Sequence, residues 1–277
     1  RVGRPRLSLI WLVLGFGVVS MIGGTASNQT LIWARKFIID DLGPGANGLF
    51  SVVNALSYQI LNLVLIALGS YSYARISTMR DHGEIAREVN YTLRAMMLPG
   101  VALLFVVSVF RGLIVPALFT QAFLGGAALI PMQAVGDFLK ITLWVLHLPQ
   151  LPMGRKRAYL GYLLLWCGLF VGISFICLKL FGLFGVVYAH VSSHLIVSIL
   201  LYFDQRRNIN LHFTPENWRL LASSLVLLLS VVIFNSEEAY LYPLFIAELM
   251  LWAALNITPG ERTQLLGIVR TRLRPAG

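Results

Sequence analysis

Two opposite charges stand three residues apart in an otherwise apolar stretch, at Asp137 and Lys140. On an α-helix this spacing places both side chains on one face, so the carboxylate and the ammonium can pair. Unpaired, each charge would cost about 2.5 to 3.5 kcal/mol at the centre of a lipid bilayer. The sequence therefore predicts one of two arrangements here. Either the charges form a structural ion pair, or Lys140 faces a polar cavity and its acidic neighbour orients it.

Further polar residues occur at depths where lipid would tolerate few of them. Asn28 and Gln29 end the first apolar stretch among small residues, which predicts contact with other helices or with a hydrated cavity. Arg35 and Lys36 follow the first apolar stretch, on the side of the predicted spans that carries few other basic residues. Their position on this side favours an anionic ligand. Glu248 lies alone in the last stretch, either as a proton carrier or as a hydrogen-bond partner of a neighbouring helix.

The sequence contains few side chains that could hold a metal or perform covalent chemistry. His190 and His194 lie four residues apart, but a zinc site needs a third protein ligand, and none is near in the sequence. Cys167 and Cys177 are ten residues apart, about 15 Å along a helix and beyond the reach of a disulfide. We therefore predict no metal, no cofactor and no catalytic residue, and hence no enzyme.

The elements that must position these residues are eight apolar stretches. Each is close to the ~20 residues that a helix needs to cross the hydrocarbon core of a bilayer. With 57% hydrophobic and 12% charged residues, the chain carries about half the charge of an average soluble domain. The sequence thus predicts an all-α polytopic membrane protein with about eight transmembrane helices. The predicted spans are Leu7 to Ala34, Gly48 to Tyr71, Thr92 to Phe110, Ala127 to Leu151, Ala158 to Leu178, Phe181 to Phe203, Trp218 to Phe234 and Ala239 to Asn256.

Most of the 22 basic residues fall on one side of these spans. They precede the first span, occupy the gaps after the second, fourth and sixth spans, and fill the tail. By the positive-inside rule both ends of the chain are predicted to be cytoplasmic, and the gap with Glu237 and Glu238 faces outward. This topological bias accounts for the net charge of +10, so nucleic acid is not an expected partner.

Several segments together resemble a known family of membrane transporters. They are Ala67 to Ser77 (ALGSYSYARIS), the charged residues His82, Glu84 and Arg87, the segment Leu118 to Thr120, and Gly136 to Lys140 (GDFLK) with Trp144. The chain resembles the Wzx-type polysaccharide flippases of the MOP superfamily. The likeness is strongest to translocases for O-antigen and enterobacterial-common-antigen repeat units, and it covers roughly Leu7 to Phe203.

The resemblance implies a domain organisation. Residues 1–203 would be the six-helix second lobe of a MATE/MOP-type transporter, residues 204–258 two additional transmembrane helices, and residues 259–277 a basic cytoplasmic tail. Because the chain begins at Arg1 directly before a complete span, we expect it to be the C-terminal portion of a longer protein. The chain also departs from many relatives, because Ala74 stands where they carry a proline.

The resemblance also implies a function. A flippase of this family moves an undecaprenyl-diphosphate-linked oligosaccharide from the cytoplasmic to the periplasmic leaflet of the bacterial inner membrane, by alternating access. Lys140, Arg35 and Lys36 would attract the diphosphate, while Asn28 and Gln29 would bind sugar. Asp137 and Glu248 would serve as coupling or structural charges. The lipid-linked oligosaccharide and the bilayer are the implied partners, with a polysaccharide polymerase and a chain-length regulator acting later.

Other functions are compatible with the sequence. A peptidoglycan-precursor flippase would need a similar basic cavity, whereas a multidrug exporter of the same superfamily would favour acidic and aromatic cavity residues. A membrane glycosyltransferase or polymerase could use Asp40 and Asp41, but such enzymes generally need a larger outer loop than any in this chain.

Overall fold

The structure is a computed structural model that describes residues 7–234, 239–258 and 261. All regular elements within these ranges are helical. Residues Arg1 to Arg6, Glu237 and Glu238, and all of the predicted basic tail except Glu261 lie outside the described residues. The α-helices are α1 (Leu7–Thr78), α2 (His82–Val109), α3 (Arg111–Leu118), α4 (Ile130–His147), α5 (Lys156–Phe181), α6 (Phe184–Ile209), α7 (Pro215–Phe234) and α8 (Tyr242–Asn256), with 3-10 segments at Gln121–Leu129 and Ala239–Leu241.

The prediction of an all-α polytopic membrane protein is confirmed. Among the described residues, five segments are long and apolar enough to cross a membrane, and α8 is a shorter apolar helix. Two of the predicted spans fall in α1. The five segments are His82–Val109, Gln121–His147, Lys156–Phe181, Phe184–Ile209 and Pro215–Phe234.

Helix α1 reverses direction at Gly43. This residue has φ 86° and ψ 170°, a conformation open in practice only to glycine, and Pro44 follows it. Gly15 lies beside Lys156, and Tyr73 lines the same cavity as Tyr159, so both ends of α1 reach the start of α5. A straight helix would separate Gly15 from Tyr73 by roughly 87 Å. The two arms, residues 7–42 and 44–78, therefore fold back on each other.

The main hydrophobic core joins α2, α4, α6 and α7. Met97, Ile141, Leu201 and Leu228 are all buried in it, and α8 adds Phe245 and Trp252. Helices α7 and α8 thus pack onto the rest of the bundle through a shared core. Helix α6 continues to Ile209, beyond the domain boundary predicted at residue 203.

Helices α5 and α6 approach each other closely at Gly185. A Cβ atom built on this residue would lie 2.1 Å from the backbone oxygen of Cys177. Because backbone cannot step aside as a flexible side chain can, we expect Gly185→Ala to lower the free energy of unfolding by about 1–3 kcal/mol. Thermal denaturation in detergent measures this effect.

Gly172→Ala is the matched control, since an added Cβ there meets nothing within 4 Å. It should leave the melting temperature unchanged or raise it slightly, because alanine favours helix over glycine. Equal melting temperatures for the two variants would contradict the close approach of α5 and α6.

A salt bridge ties the end of α8 to α2. The Arg94 guanidinium donates to both carboxylate oxygens of Glu261, at 2.5 and 2.7 Å, and also to the backbone oxygen of Asn256. Thr258 donates its backbone N–H and its hydroxyl to Glu261, each at 2.7 Å. The hydrogen bonds from Arg94, joined by those from Thr258, lower the pKa of Glu261 to about 2.

This lowered pKa predicts a loss of stability in acid. The carboxylate stabilises the fold fully above its unfolded-state pKa of about 4.3, and the contribution fades as the pH falls from there toward 2. We expect the melting temperature to fall less between pH 6 and pH 3 in Glu261→Gln than in the unmodified protein. Glu84→Gln is the control, because Glu84 makes only an exposed 4.0 Å pair with Arg87. Identical pH profiles for all three proteins would refute the prediction.

Candidate functional site

Two cavities of different character lie between the helices. The larger, about 710 Å³, lies between α4, α6 and α7 and is lined mostly by apolar side chains such as Leu139, Leu195 and Leu225. The smaller, about 300 Å³, collects polar side chains from α1 and α4. We take the smaller as the candidate site, because specific recognition needs converging polar groups. It is called the polar cavity below.

The polar cavity combines amides, a cation and aromatic rings. Asn28 comes from the first arm of α1, Asn54 and Tyr58 from the second arm, and Gln133 and Lys140 from α4. The reversal at Gly43 is what brings the two arms to one cavity. Aromatic side chains of α4 and α5 complete the wall: Trp144, Trp166 and Phe170.

Asp137 pairs with a histidine instead of with Lys140. Its Oδ1 atom lies 3.0 Å from Nε2 of His190 on α6, and the carboxylate is 1% exposed. In the part of the chain that the structure describes, no carboxylate lies within 4.0 Å of the Lys140 ammonium. Of the two arrangements predicted, the ion pair between Asp137 and Lys140 is not formed, and Lys140 presents an unneutralised cation to the polar cavity.

The Asp137–His190 pair is fixed by its surroundings. Gln133 donates to Asp137 Oδ1 at 3.4 Å from one helical turn away. Gly136 lets the histidine ring approach α4, since a Cβ at this position would lie 2.2 Å from the His190 Cδ2 atom. The glycine and the aspartate of the GDFLK segment thus both serve the contact between α4 and α6.

His194 continues this contact along α6. Its Nδ1 atom lies 2.7 Å from the backbone oxygen of His190, so the N–H donates within the helix. The two histidine rings are 4.3 Å apart and the indole of Trp166 lies against His194. The described residues contain no group of three His, Cys, Asp or Glu side chains that could hold a metal ion.

The polar cavity contains two of the five residues predicted to bind substrate. Asn28 and Lys140 line it, whereas Gln29, Arg35 and Lys36 do not. Gln29 lies one residue and thus about 100° around the helix from Asn28, and both residues are exposed. The Lys36 ammonium lies 5.5 Å from the centre of the Trp33 ring. A substrate contact for these three residues stays a prediction.

Glu248 lies apart from the polar cavity. It accepts a hydrogen bond of 2.7 Å from the Ser230 hydroxyl, which joins α8 to α7. This contact fits the structural alternative predicted for the lone carboxylate.

The sequence reasoning missed Asn54, Tyr58 and Gln133. Asn54 and Tyr58 are four residues apart, as are Gln133 and Asp137, so each pair lies on one face of a helix. Polar residues at this spacing inside an apolar span carry the same signal as Asn28 and could have been found with it.

A third cavity, of about 230 Å³, adjoins the polar cavity. Trp144, His147 and Leu163 line both of them, and Tyr73 and Tyr159 also line the third cavity. It lies beside the α4–α5 connection at residues 148–155, at the end of the bundle that the charge distribution predicts to be cytoplasmic. We call it the aromatic chamber.

Comparison with known proteins gives one structural likeness. No protein-family model and no curated protein sequence matches the chain. Among solved structures, the chain is similar to a MOP superfamily transporter from Pyrococcus furiosus, described as having a binding pocket of reverse polarity that suggests a different function. The TM-score is 0.47 at 15% identity, over 89% of this chain and 62% of that one. This chain therefore spans less than two thirds of the length of that protein.

Proposed function

We propose that this chain is part of a flippase that moves an undecaprenyl-diphosphate-linked oligosaccharide between the leaflets of the bacterial inner membrane. The observation that carries the proposal is the unneutralised Lys140 in a cavity lined by amides and aromatic rings. The prenyl chain and the diphosphate follow from the resemblance of the sequence to Wzx-type flippases. The exact saccharide is left open.

The cation is suited to the diphosphate. A diphosphate must leave water to cross the hydrocarbon, and an ammonium in a cavity replaces part of its hydration with a charge-assisted hydrogen bond. Lys140 is half-buried, so its charge is less screened than that of a surface lysine. The neighbouring Asp137 is bonded to His190 and forms no ion pair with Lys140.

The remaining lining is suited to sugar. Asn28, Asn54 and Gln133 each carry a hydrogen-bond donor and an acceptor, which matches the paired roles of sugar hydroxyls. Tyr58 and Trp144 offer ring faces against which the C–H face of a sugar can stack. The prenyl tail would stay in lipid while the head group passes through the cavity, as the two lobes of the whole transporter rock.

The competing functions are less well supported by this lining. A cation exporter needs an available carboxylate, and none of the described residues that line the polar cavity is acidic. A glycosyltransferase would use Asp40 and Asp41, which are exposed near the Gly43 turn, away from the polar cavity. A peptidoglycan-precursor flippase shares the diphosphate chemistry and differs only in the saccharide.

Complementation tests the proposal. The full-length gene is expressed in a bacterial strain that lacks its own Wzx-type flippase, and surface polysaccharide and lipid-linked intermediates are assayed together. We expect surface polysaccharide to return and the accumulated intermediate to disappear. Rescue of a strain lacking its peptidoglycan-precursor flippase instead would assign the protein to that substrate. Failure in both strains, with membrane insertion verified, would overturn the proposal.

A further inference from the structure

We infer that the aromatic chamber is a second saccharide subsite, which holds the outer sugars of the same lipid-linked oligosaccharide whose diphosphate Lys140 binds. This inference rests on the proposed function and adds a determinant of substrate length and specificity. It assigns a binding role to Tyr159, which lies outside every segment of the resemblance, and to Tyr73, which lies within the Ala67 to Ser77 segment but received no role from it.

The first observation is that the two cavities are contiguous. Trp144, His147 and Leu163 line both, so a ligand that fills the polar cavity borders the aromatic chamber directly. Their volumes, about 300 and 230 Å³, are each too small for a diphosphate together with several sugars. A larger head group must therefore occupy both.

The second observation is that the rings of the chamber are held in place. Trp144 lies so close to Gly69 that a Cβ there would be 1.8 Å from the indole Cη2 atom. The rings of His147 and Tyr159 meet edge to face at 5.4 Å, and Gln150 holds His147 through a 2.8 Å hydrogen bond. Rings fixed in this way bind a ligand with little loss of side-chain entropy.

The third observation is the charge around the chamber. Two basic residues near this end of the bundle are already engaged: Arg155 makes two hydrogen bonds to Asp204, at 2.7 and 3.0 Å, and Arg75 lies 3.1 Å from Glu88. The described residues that line the chamber include neither a lysine or arginine nor a carboxylate. Such a lining favours a neutral ligand that stacks on rings. It suits sugars better than phosphate, and the Tyr hydroxyls add hydrogen bonding that a prenyl chain could not use.

Binding to the full-length protein in lipid nanodiscs tests the inference with three probes. These are undecaprenyl diphosphate, its monosaccharide derivative and its tetrasaccharide derivative. We expect Tyr159→Ala to raise the Kd for the tetrasaccharide probe about fivefold to tenfold and to leave the other two within about twofold. Tyr73→Ala should act in the same direction, and because Tyr73 is 38% exposed, its truncation should disturb the packing less than truncation of a fully buried ring.

Tyr162→Ala is the matched control, since Tyr162 lies on the same helix as Tyr159 but lines neither cavity. Unchanged tetrasaccharide binding in both tyrosine variants, or equal weakening of all three probes, would overturn the subsite. If Lys140→Ala still weakens every probe in that case, the proposed function survives without the subsite. If the unmodified protein binds none of the probes, the proposed function and the subsite both fall.

Discussion

Replacing Lys140 with alanine is expected to abolish the return of surface polysaccharide in the complementation assay. The ammonium is the cation of the polar cavity, and a hydrogen bond to a charged group contributes about 1.5–3 kcal/mol, or roughly 10- to 150-fold in binding. The accumulated lipid-linked intermediate should persist on the cytoplasmic leaflet at normal expression. Lys140→Arg, which keeps the charge but changes its shape, should retain part of the activity.

The control for this substitution is Lys179→Ala. Lys179 is exposed at the end of α5, where its ammonium lies 4.2 Å from the centre of the Phe175 ring and away from both cavities. Its loss should leave the polysaccharide at the level of the unmodified protein. Full activity of Lys140→Ala would remove the observation on which the proposed function rests.

Hydropathy was sufficient to predict the helical architecture. The predicted spans correspond to helices because apolar length is a local property, which each stretch carries by itself. The reversal at Gly43 falls in the gap between the first two predicted spans, where glycine followed by proline disfavours a continued straight helix. The packing of α7 and α8 against α2 and α4 was not readable, because it depends on shapes from distant parts of the chain.

The hydrogen-bond partner of Asp137 could not be predicted from the sequence. Lys140 is its nearest opposite charge along the helix, whereas His190 is 53 residues away. A buried carboxylate takes the partner that tertiary packing offers, and Gly136 shapes that packing by admitting the histidine ring. The sequence located the charges correctly within the spans but could not tell which of them faces the cavity.

For Asn28 and Gln29, too, the sequence does not determine which side chain contributes to the site. Both are amides at the same depth, and the sequence does not tell which of the two neighbours lines the polar cavity. That choice depends on the rotation of the first arm of α1, which is set by its contacts with α5, including that of Gly23 with Leu163. The aromatic chamber could not be predicted from the sequence either, because it combines residues from three separate helices.

Removal of the Asp137 side chain is expected to destabilise the fold strongly. Asp137→Ala would leave His190 buried without its acceptor, and a buried polar group without a hydrogen-bond partner costs about 1–3 kcal/mol. That is a large part of the stability of a typical domain. We expect a severe loss of monodisperse protein in detergent. Thr142→Ala, also buried on α4, is the control, because its hydroxyl bonds only to its own helix at Phe138.

Asp137→Asn separates the structural role from a role in proton coupling. The amide oxygen can still accept the hydrogen bond from His190, so this variant should fold. Because the Asp137 carboxylate is buried and does not line the polar cavity, we expect the asparagine variant to restore surface polysaccharide as well. A variant that folds but does not transport would mean that the ability of Asp137 to ionise is needed for movement of the substrate. In that case the contact between α4 and α6 would be part of the transport cycle, and the charge of Lys140 alone would not account for it.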